Sequence, residues 1–377
     1  MRSIKESKRS GVKKKKIVVV HLRNDLSGST RVLQQSILTL QKSGLSVDLF
    51  TATIDYKGFL SEIPDISIYP IPYKRYSRRI GTFTSYLFAQ VWLFIRLLKY
   101  RSQDITIYIN TVMPFGGALA GWVMKKDVVY HLHEVSLAPA PVLLKKWLFA
   151  VANLTAKKAI LVSDFLINEK SLTKAENIRI HNVLSQEFLS QVPRSLQNGK
   201  VISGDFRVLM VCSLAPYKGI NEFIGLSKQM PDIQFDLVLN ATKNEIRHIF
   251  NGDPEFRNLT IHSAKRDVHQ FYSKAALLLN LSLADEHVET FGMTILEGMV
   301  YGLPSIVPCV GGVLELVENG VNGFLIDSKD QDALFEAITL MKEDTTLYQQ
   351  LSKSAIKKSK MFNSNDFDNA IAKTFLT

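Results

Sequence analysis

Short apolar runs rich in β-branched residues alternate with segments of helical period along almost the whole 377-residue chain, and this alternation leaves few architectures open. Strands separated by helices pair in parallel, because a helical crossover returns the chain to the same end of the sheet. The first half offers strands over residues 17–22, 47–51, 105–110, 128–131 and 159–162, with helices at 30–43, 86–100 and 141–156. The second half repeats the scheme, with strands over 207–213, 235–240, 259–262, 276–281, 304–307 and 323–326. Two doubly wound α/β units are predicted. Residues 193–200 have little periodicity and many turn formers, so the boundary is set between 195 and 196. The domains expected are 17–195 and 196–360, preceded by a basic tail at 1–16 and followed by a closing helix within 361–377. Ligands of open parallel sheets collect beyond the carboxyl ends of the strands, so a cleft between two such units is the place to look for function.

The net charge of +11 is unevenly held. Residues 1–200 carry 30 Lys and Arg against 13 Asp and Glu, whereas residues 201–377 carry 16 against 22. A basic half suits nucleic acid, an anionic membrane or a phosphorylated ligand. No nucleic-acid module or aromatic–basic stacking pattern accompanies it, and the second half is acidic, which sets nucleic acid aside. Two cysteines, Cys212 and Cys309, are too few for a disulfide framework and read as buried small hydrophobes in a reducing, cytoplasmic setting. No His/Cys cluster has zinc-ligand spacing. Lys13 to Lys16 close a tail suited to anionic lipid. The apolar stretch 83–98, FTSYLFAQVWLFIRLL, is interrupted by Arg96 and falls short of the ~20 residues that span a bilayer. It is expected either to pack on a sheet or to lie in a membrane interface, with Tyr86 and Trp92 at headgroup level.

Chemistry concentrates in loops that follow strands. After the strand at 276–281 comes a polar loop, then Glu289-Thr290-Phe291-Gly292, then a helix from Met293. Free N–H groups at a helix start attract phosphate, and Gly292 lets a ligand approach the main chain. Glu289 and Glu297 are too far apart to act as one acid–base couple and suit different parts of one long ligand, or serve only as capping. Lys218 follows another strand. Gly28, in Leu26-Ser27-Gly28-Ser29-Thr30-Arg31, opens the first helix as a phosphate-approach position or as part of a plain capped turn. His131 and His133 fall on one side of their strand, and with no third ligand at metal spacing zinc is not expected. Asp330-Gln331-Asp332 spells a DxD but reads as helix capping, and Gly117 to Gly121 reads as a close helix-packing face.

The run Glu289 to Glu297, followed by Gly298, Gly302-Leu303-Pro304, Gly311-Gly312, Glu315 and Asn319-Gly320-Val321-Asn322-Gly323, closely resembles the nucleotide-sugar-binding signature of the family-four retaining glycosyltransferases (glycosyl transferases group 1). That resemblance implies the GT-B fold, in which two Rossmann-like domains face an interdomain cleft. It implies that Glu297 holds the donor ribose and Glu289 the transferred sugar, with Phe291, Gly292, Met293 and Thr294 meeting sugar and phosphate. Lys218 would neutralise the diphosphate, Gly28 would approach it, and His133 would lie over the donor sugar. Similar enzymes usually carry an Arg where this chain has Ser213, which leaves Ser213 one hydrogen bond and no charge to offer. His181-Asn182-Val183 loosely matches an Asn-containing turn of the family but lacks its glycine, and is given no role.

The function so implied is transfer of a sugar, with retention, to a hydroxyl of a glycan or lipid-diphosphate-linked acceptor in bacterial surface polysaccharide synthesis. The catalytic set is His133, Glu289 and Lys218, without metal or cofactor, in an enzyme of the cytoplasm resting on the inner face of the membrane. The alternatives are a GT-B nucleotide-sugar epimerase and a catalytically weak nucleotide-sugar-binding protein.

Overall fold

The fold is that of a computed structural model, which describes residues 15–52, 57–76, 78–134, 141–202, 204–252 and 254–377. The first sheet comprises β1 (Lys16–Arg23), β2 (Ser46–Ala52), β3 (Ser67–Pro70), β4 (Ile105–Asn110), β5 (Asp127–Leu132), β6 (Lys158–Leu161) and β7 (Glu176–Arg179), in the order β3-β2-β1-β4-β5-β6-β7. The second comprises β8 (Arg207–Cys212), β9 (Gln234–Leu239), β10 (Leu259–His262), β11 (Leu277–Leu279), β12 (Ser305–Val307) and β13 (Gly323–Leu325), in the order β10-β9-β8-β11-β12-β13. All pairings within the two sheets are parallel. Strand order reverses between β1 and β4 and again between β8 and β11, which opens a crevice at the carboxyl end of each sheet.

Central strands are covered on both faces, so they read as unbroken apolar runs: Ile17 to Val20 and Ile107 to Ile109 are fully buried. Two strands had no such signal. β3 and β7 are four-residue edge strands with largely uncovered side chains, and an edge needs no apolar run. One contiguous core runs from the first sheet across to the helix Met293–Val300, so the domains share buried surface. Cys309, expected inside, is exposed, and Cys212 is half-buried at the end of β8.

The apolar helix is longer than its sequence suggested. It covers Arg79–Leu97 and continues as a 3-10 turn to Tyr100, 22 residues in all, enough by length and composition to cross a bilayer. Packing, not length, fixes its place. Tyr86, Ala89, Gln90, Leu93 and Leu97 are buried, the Tyr86 hydroxyl donates to the Met113 carbonyl (2.6 Å), and the Gly116 N–H donates to Gln90 Oε1 (3.0 Å). Tyr86 therefore faces inward, and Trp92 is half-buried beside Phe50. The outward stripe belongs to other side chains.

Lys16, counted with the basic tail, instead opens β1 and pairs with Asp48 at 3.1 Å, and Lys15 Nζ donates to the Phe375 carbonyl (2.9 Å). Lys13 and Lys14 lie outside the described residues. The helix Ser364–Leu376 packs on the helix Gly28–Lys42 of the first domain; Thr39 donates to Asp368 (2.5 Å) and Lys158 Nζ to the Thr374 carbonyl (3.0 Å).

The helix Phe115–Val123 is glycine-rich because it sits close to its neighbours. A Cβ on Gly116 would run into the Gln90 carbonyl, and one on Gly121 would come within 2.6 Å of Val128 Cγ2. Gly116→Ala should therefore cost about 1–3 kcal/mol, read as a melting temperature lower by roughly 2–4 °C per kcal/mol. An unchanged melting curve would contradict this packing.

Candidate active site

Each domain sends one helix start into the gap between the sheets. In the first, β1 leads through Asn24 to Ser27 into the helix Gly28–Lys42; in the second, a polar loop leads through Gly292 into the helix Met293–Val300. The N-cap residues Ser27 and Gly292 provide no side-chain cap, so first-turn N–H groups of both helices remain for a ligand. The two starts face each other: a Cβ on Gly28 would lie 3.5 Å from Met293 Cγ. Gly292 has φ +98°, and a Cβ there would come within 2.7 Å of Ile295 Cδ1, so the turn requires glycine.

Between them lies a cavity of about 400 Å³, lined by Gly28, Ser29, His133 and Glu134 of the first domain and by residues of the second that include Ser213, Lys218, Glu289, Gly292, Met293 and Thr294. Lys218 is aimed by local backbone chemistry. The 3-10 turn Pro216–Lys218 ends at Gly219, whose φ of +76° and contact with the Leu281 carbonyl exclude any side chain. Lys218 Nζ forms an ion pair with Glu289, whose Oε1 also accepts from Ser282 Oγ (3.1 Å). Burial alone would raise the Glu289 carboxyl, but Lys218, His287 and these hydrogen bonds outweigh it and hold it at about 2. The groups expected to meet diphosphate and sugar are thus each other's partner. Phe291 borders the same cavity, with its ring packed near His181 and Phe362.

His133 is held by a relay that sequence spacing did not reveal. Its Nε2–H donates to Asn110 Oδ1 (2.9 Å); Asn110 Nδ2 donates to His21 Nδ1 (3.1 Å); His21 Nε2–H donates to Thr30 Oγ1 (3.0 Å); and Thr30 donates to Asp25 (2.8 Å). Burial, with the imidazoles of His131 and His21 nearby, holds His133 well below its usual value, so it stays neutral. The relay assigns its proton to Nε2 and leaves Nδ1 as an acceptor. Across the gap, Thr290 donates to the His133 carbonyl (2.6 Å). His131 is a core residue bonded to Tyr108 (2.7 Å). Glu134, passed over in the sequence, lines the cavity, and burial pushes its carboxyl up to about 7.

Glu297 stands in an adjoining slot that shares Gly28, Met293 and Thr294 with the cavity. Its carboxylate accepts from Arg31 (2.6 Å) and from the Tyr272 hydroxyl (2.7 Å). Arg31 also lies over the Phe59 and Phe188 rings, at 5.4 and 4.9 Å. It had a sequence signal that went unused: a cation one turn into a helix opposes the macrodipole, and such a local conflict marks a site.

Two motifs take the roles expected of them. Asp330 caps its helix by accepting the Ala333 N–H (3.0 Å), and Gly117 packs against Val20 and Ile109. Among the described residues, Asp164, His181 and Glu315 bring ligand-type atoms within 4.8 Å of one another. All three are already engaged: Asp164 with Arg179, His181 with Glu315 (2.8 Å), and Glu315 also with the Phe165 N–H (3.0 Å), which ties the domains together.

Residues 194–358 match the family model described as glycosyl transferases group 1. The match covers less than half of the chain. The matched span contains Lys218, Glu289, the Gly292 turn and Glu297. Sucrose synthase of Thermosynechococcus vestitus is 33% identical over 118 residues, which is 30% of this chain and 15% of that protein. This chain thus matches only a small part of the length of that relative. Almost the whole chain superposes on Anabaena Alr3699/HepE in complex with UDP and glucose, with TM-score 0.73, 22% identity and coverage of 95% of this chain and 98% of that one. It superposes similarly on WaaG, a glycosyltransferase involved in lipopolysaccharide biosynthesis, with TM-score 0.71, 15% identity and coverage of 96% and 99%. The fold is therefore GT-B, as the signature implied.

The two cavity carboxyls should act on stability with opposite sign. Glu289, held below its ordinary 4.5, stabilises the fold above that pH and loses this contribution as pH falls towards about 2. Glu134, raised from 4.5, makes the fold less stable as pH climbs from 4.5 to about 7. Urea midpoints across pH should lose the acid-side slope in Glu289→Gln and the slope between 4.5 and 7 in Glu134→Gln. Parallel profiles for both variants and wild type would contradict these environments.

Proposed function

We propose that the protein is a retaining glycosyltransferase that moves a sugar from a nucleoside diphosphate sugar to a hydroxyl of a glycan or lipid-linked acceptor. We place it in bacterial surface polysaccharide synthesis, at the cytoplasmic side of the membrane. One observation carries the transfer reading: Lys218, Glu289 and the helix starts at Gly28 and Met293 converge on one cavity, with Glu297 in the slot beside it. The solved complexes of HepE with UDP and with UDP-glucose make a uridine diphosphate sugar the first donor to try. WaaG's part in lipopolysaccharide synthesis supports the acceptor class.

In this reading the diphosphate lies between the two helix starts. Breaking the bond from the anomeric carbon to the phosphate oxygen leaves negative charge on the diphosphate and oxocarbenium character on the sugar. Lys218 and preorganised N–H groups stabilise the first without a metal ion. The Glu289 carboxylate and the Nδ1 acceptor of His133 orient sugar hydroxyls, and Glu297 exchanges Arg31 for the ribose. The acceptor oxygen forms its bond on the face that the phosphate leaves, and its proton passes to the departing phosphate oxygen. No protein base is then required.

A donor present at about a hundred times its Kd should stabilise the fold by ~2.7 kcal/mol, a rise of roughly 5–10 °C. Glu297→Ala should abolish that rise while remaining folded. Lys218→Ala should lose turnover, and His133→Ala should lower kcat more than donor affinity. Failure of every nucleoside diphosphate sugar to stabilise the wild type, or wild-type turnover in Lys218→Ala, would contradict the reading. Incubation with donor alone tests for epimerisation.

A further inference from the structure

The helix Arg79–Leu97 buries one side and leaves Ile80, Phe83, Leu87, Phe88, Val91 and Ile95 uncovered at helical spacing. Beside it packs the helix Phe115–Val123, with Trp122 and Val123 outward. Beside that packs Val142–Thr155, with Val142, Leu143 and Trp147 outward; the joint is Phe115 edge-on to Trp147 at 4.4 Å between ring centres. The three helices cover the same side of the first sheet, so their outward side chains form one broad apolar face. Soluble monomers rarely leave a face of that extent bare.

Its surroundings are basic. Residues 66–163 hold thirteen Lys and Arg against three acids, Asp104, Asp127 and Glu134. Glu134 lies in the cleft, Asp127 pairs with Lys157, and Asp104 and Asp127 stand at the starts of β4 and β5, the edge away from the cleft. Arg75, Arg78 and Arg79 flank the apolar helix at one end and Arg96 and Arg101 at the other, with Lys125 in the turn after one neighbouring helix and Lys146 on the other, all exposed. None of the three helices contains an acidic residue. A second copy of the chain docked face to face would set these cations against themselves. Apolar side chains with outward tryptophans inside a cationic rim match the headgroup and upper acyl layer of an anionic bilayer.

We propose that this three-helix face seats the protein on the surface of an anionic membrane. Helices that return from parallel strands run antiparallel to them, so the starts of these three, with Ile80 and Leu143, lie at the strand ends that open into the cleft. Docking by this face sets the cleft mouth beside the lipid surface, within reach of a lipid-linked acceptor. The seating does not depend on the transfer reading; the advantage to the acceptor does. Lys15 and Lys16 take no part, being bonded to Phe375 and Asp48.

Ile80 and Leu143 are 79% and 82% exposed, so Ile80→Ser with Leu143→Ser leaves the core intact. The full chain should float with phosphatidylglycerol-containing vesicles at low salt and not with phosphatidylcholine alone. The double variant should partition at least about tenfold less. Val201→Ser, a comparably exposed change on the second domain, should bind as wild type. Donor-induced thermal stabilisation, measured on the same samples, should be unchanged in the double variant, which separates failure of the seat from failure of the sugar site. Wild-type flotation of the double variant would overturn the proposal, as would absence of binding to anionic vesicles. Loss of self-association in the variant, without lipid binding by the wild type, would also overturn it and assign the face to a second copy.

Discussion

The helix starts at Gly28 and Met293 meet across the gap between the domains, and the rest of the site depends on this opposition of like dipole ends. Two partially positive termini that face each other across a gap repel unless something negative lies nearby. Here Glu289 and Glu297 supply that charge, one gripped by Lys218 and the other by Arg31. Each pair costs desolvation, and a buried carboxylate is kept only where its partner is well placed. On the proposed reading, the cleft is an electrostatic mould for an elongated anion. On that reading the ion pairs present are the ones a diphosphate and a ribose would rearrange.

Both domains contribute to the mould. Arg31 and Gly28 come from the first sheet, and Glu297 and Met293 from the second. Thr290 to His133 and the His181–Glu315 pair hold the same two bodies together on the other flank. The relay from Asp25 to His133 fixes one tautomer from within the first domain alone.

The parallel architecture was legible because buried strands leave unbroken apolar runs, whereas the edge strands β3 and β7 gave no run to read. Glu289, Gly292 and Glu297 were legible as a cluster because they share one loop and one helix. Arg31 with Glu297 was not, since 266 residues separate the partners. Asn110, 23 residues from His133, was hidden for the same reason: a strand-end Asn has no local signature until the sheet sets it beside a second strand. The apolar helix was judged by its length, but its place is decided by which side chains its neighbours cover, and only the fold supplies that.

The measurement that bears most directly on the mould is a crystal structure of the protein with a nucleoside diphosphate bound. The account predicts the diphosphate between the starts at Gly28 and Met293, with Lys218 Nζ drawn from Glu289 to a phosphate oxygen and the ribose hydroxyls on Glu297. A diphosphate bound elsewhere, with the Lys218–Glu289 and Arg31–Glu297 pairs both intact, would contradict it.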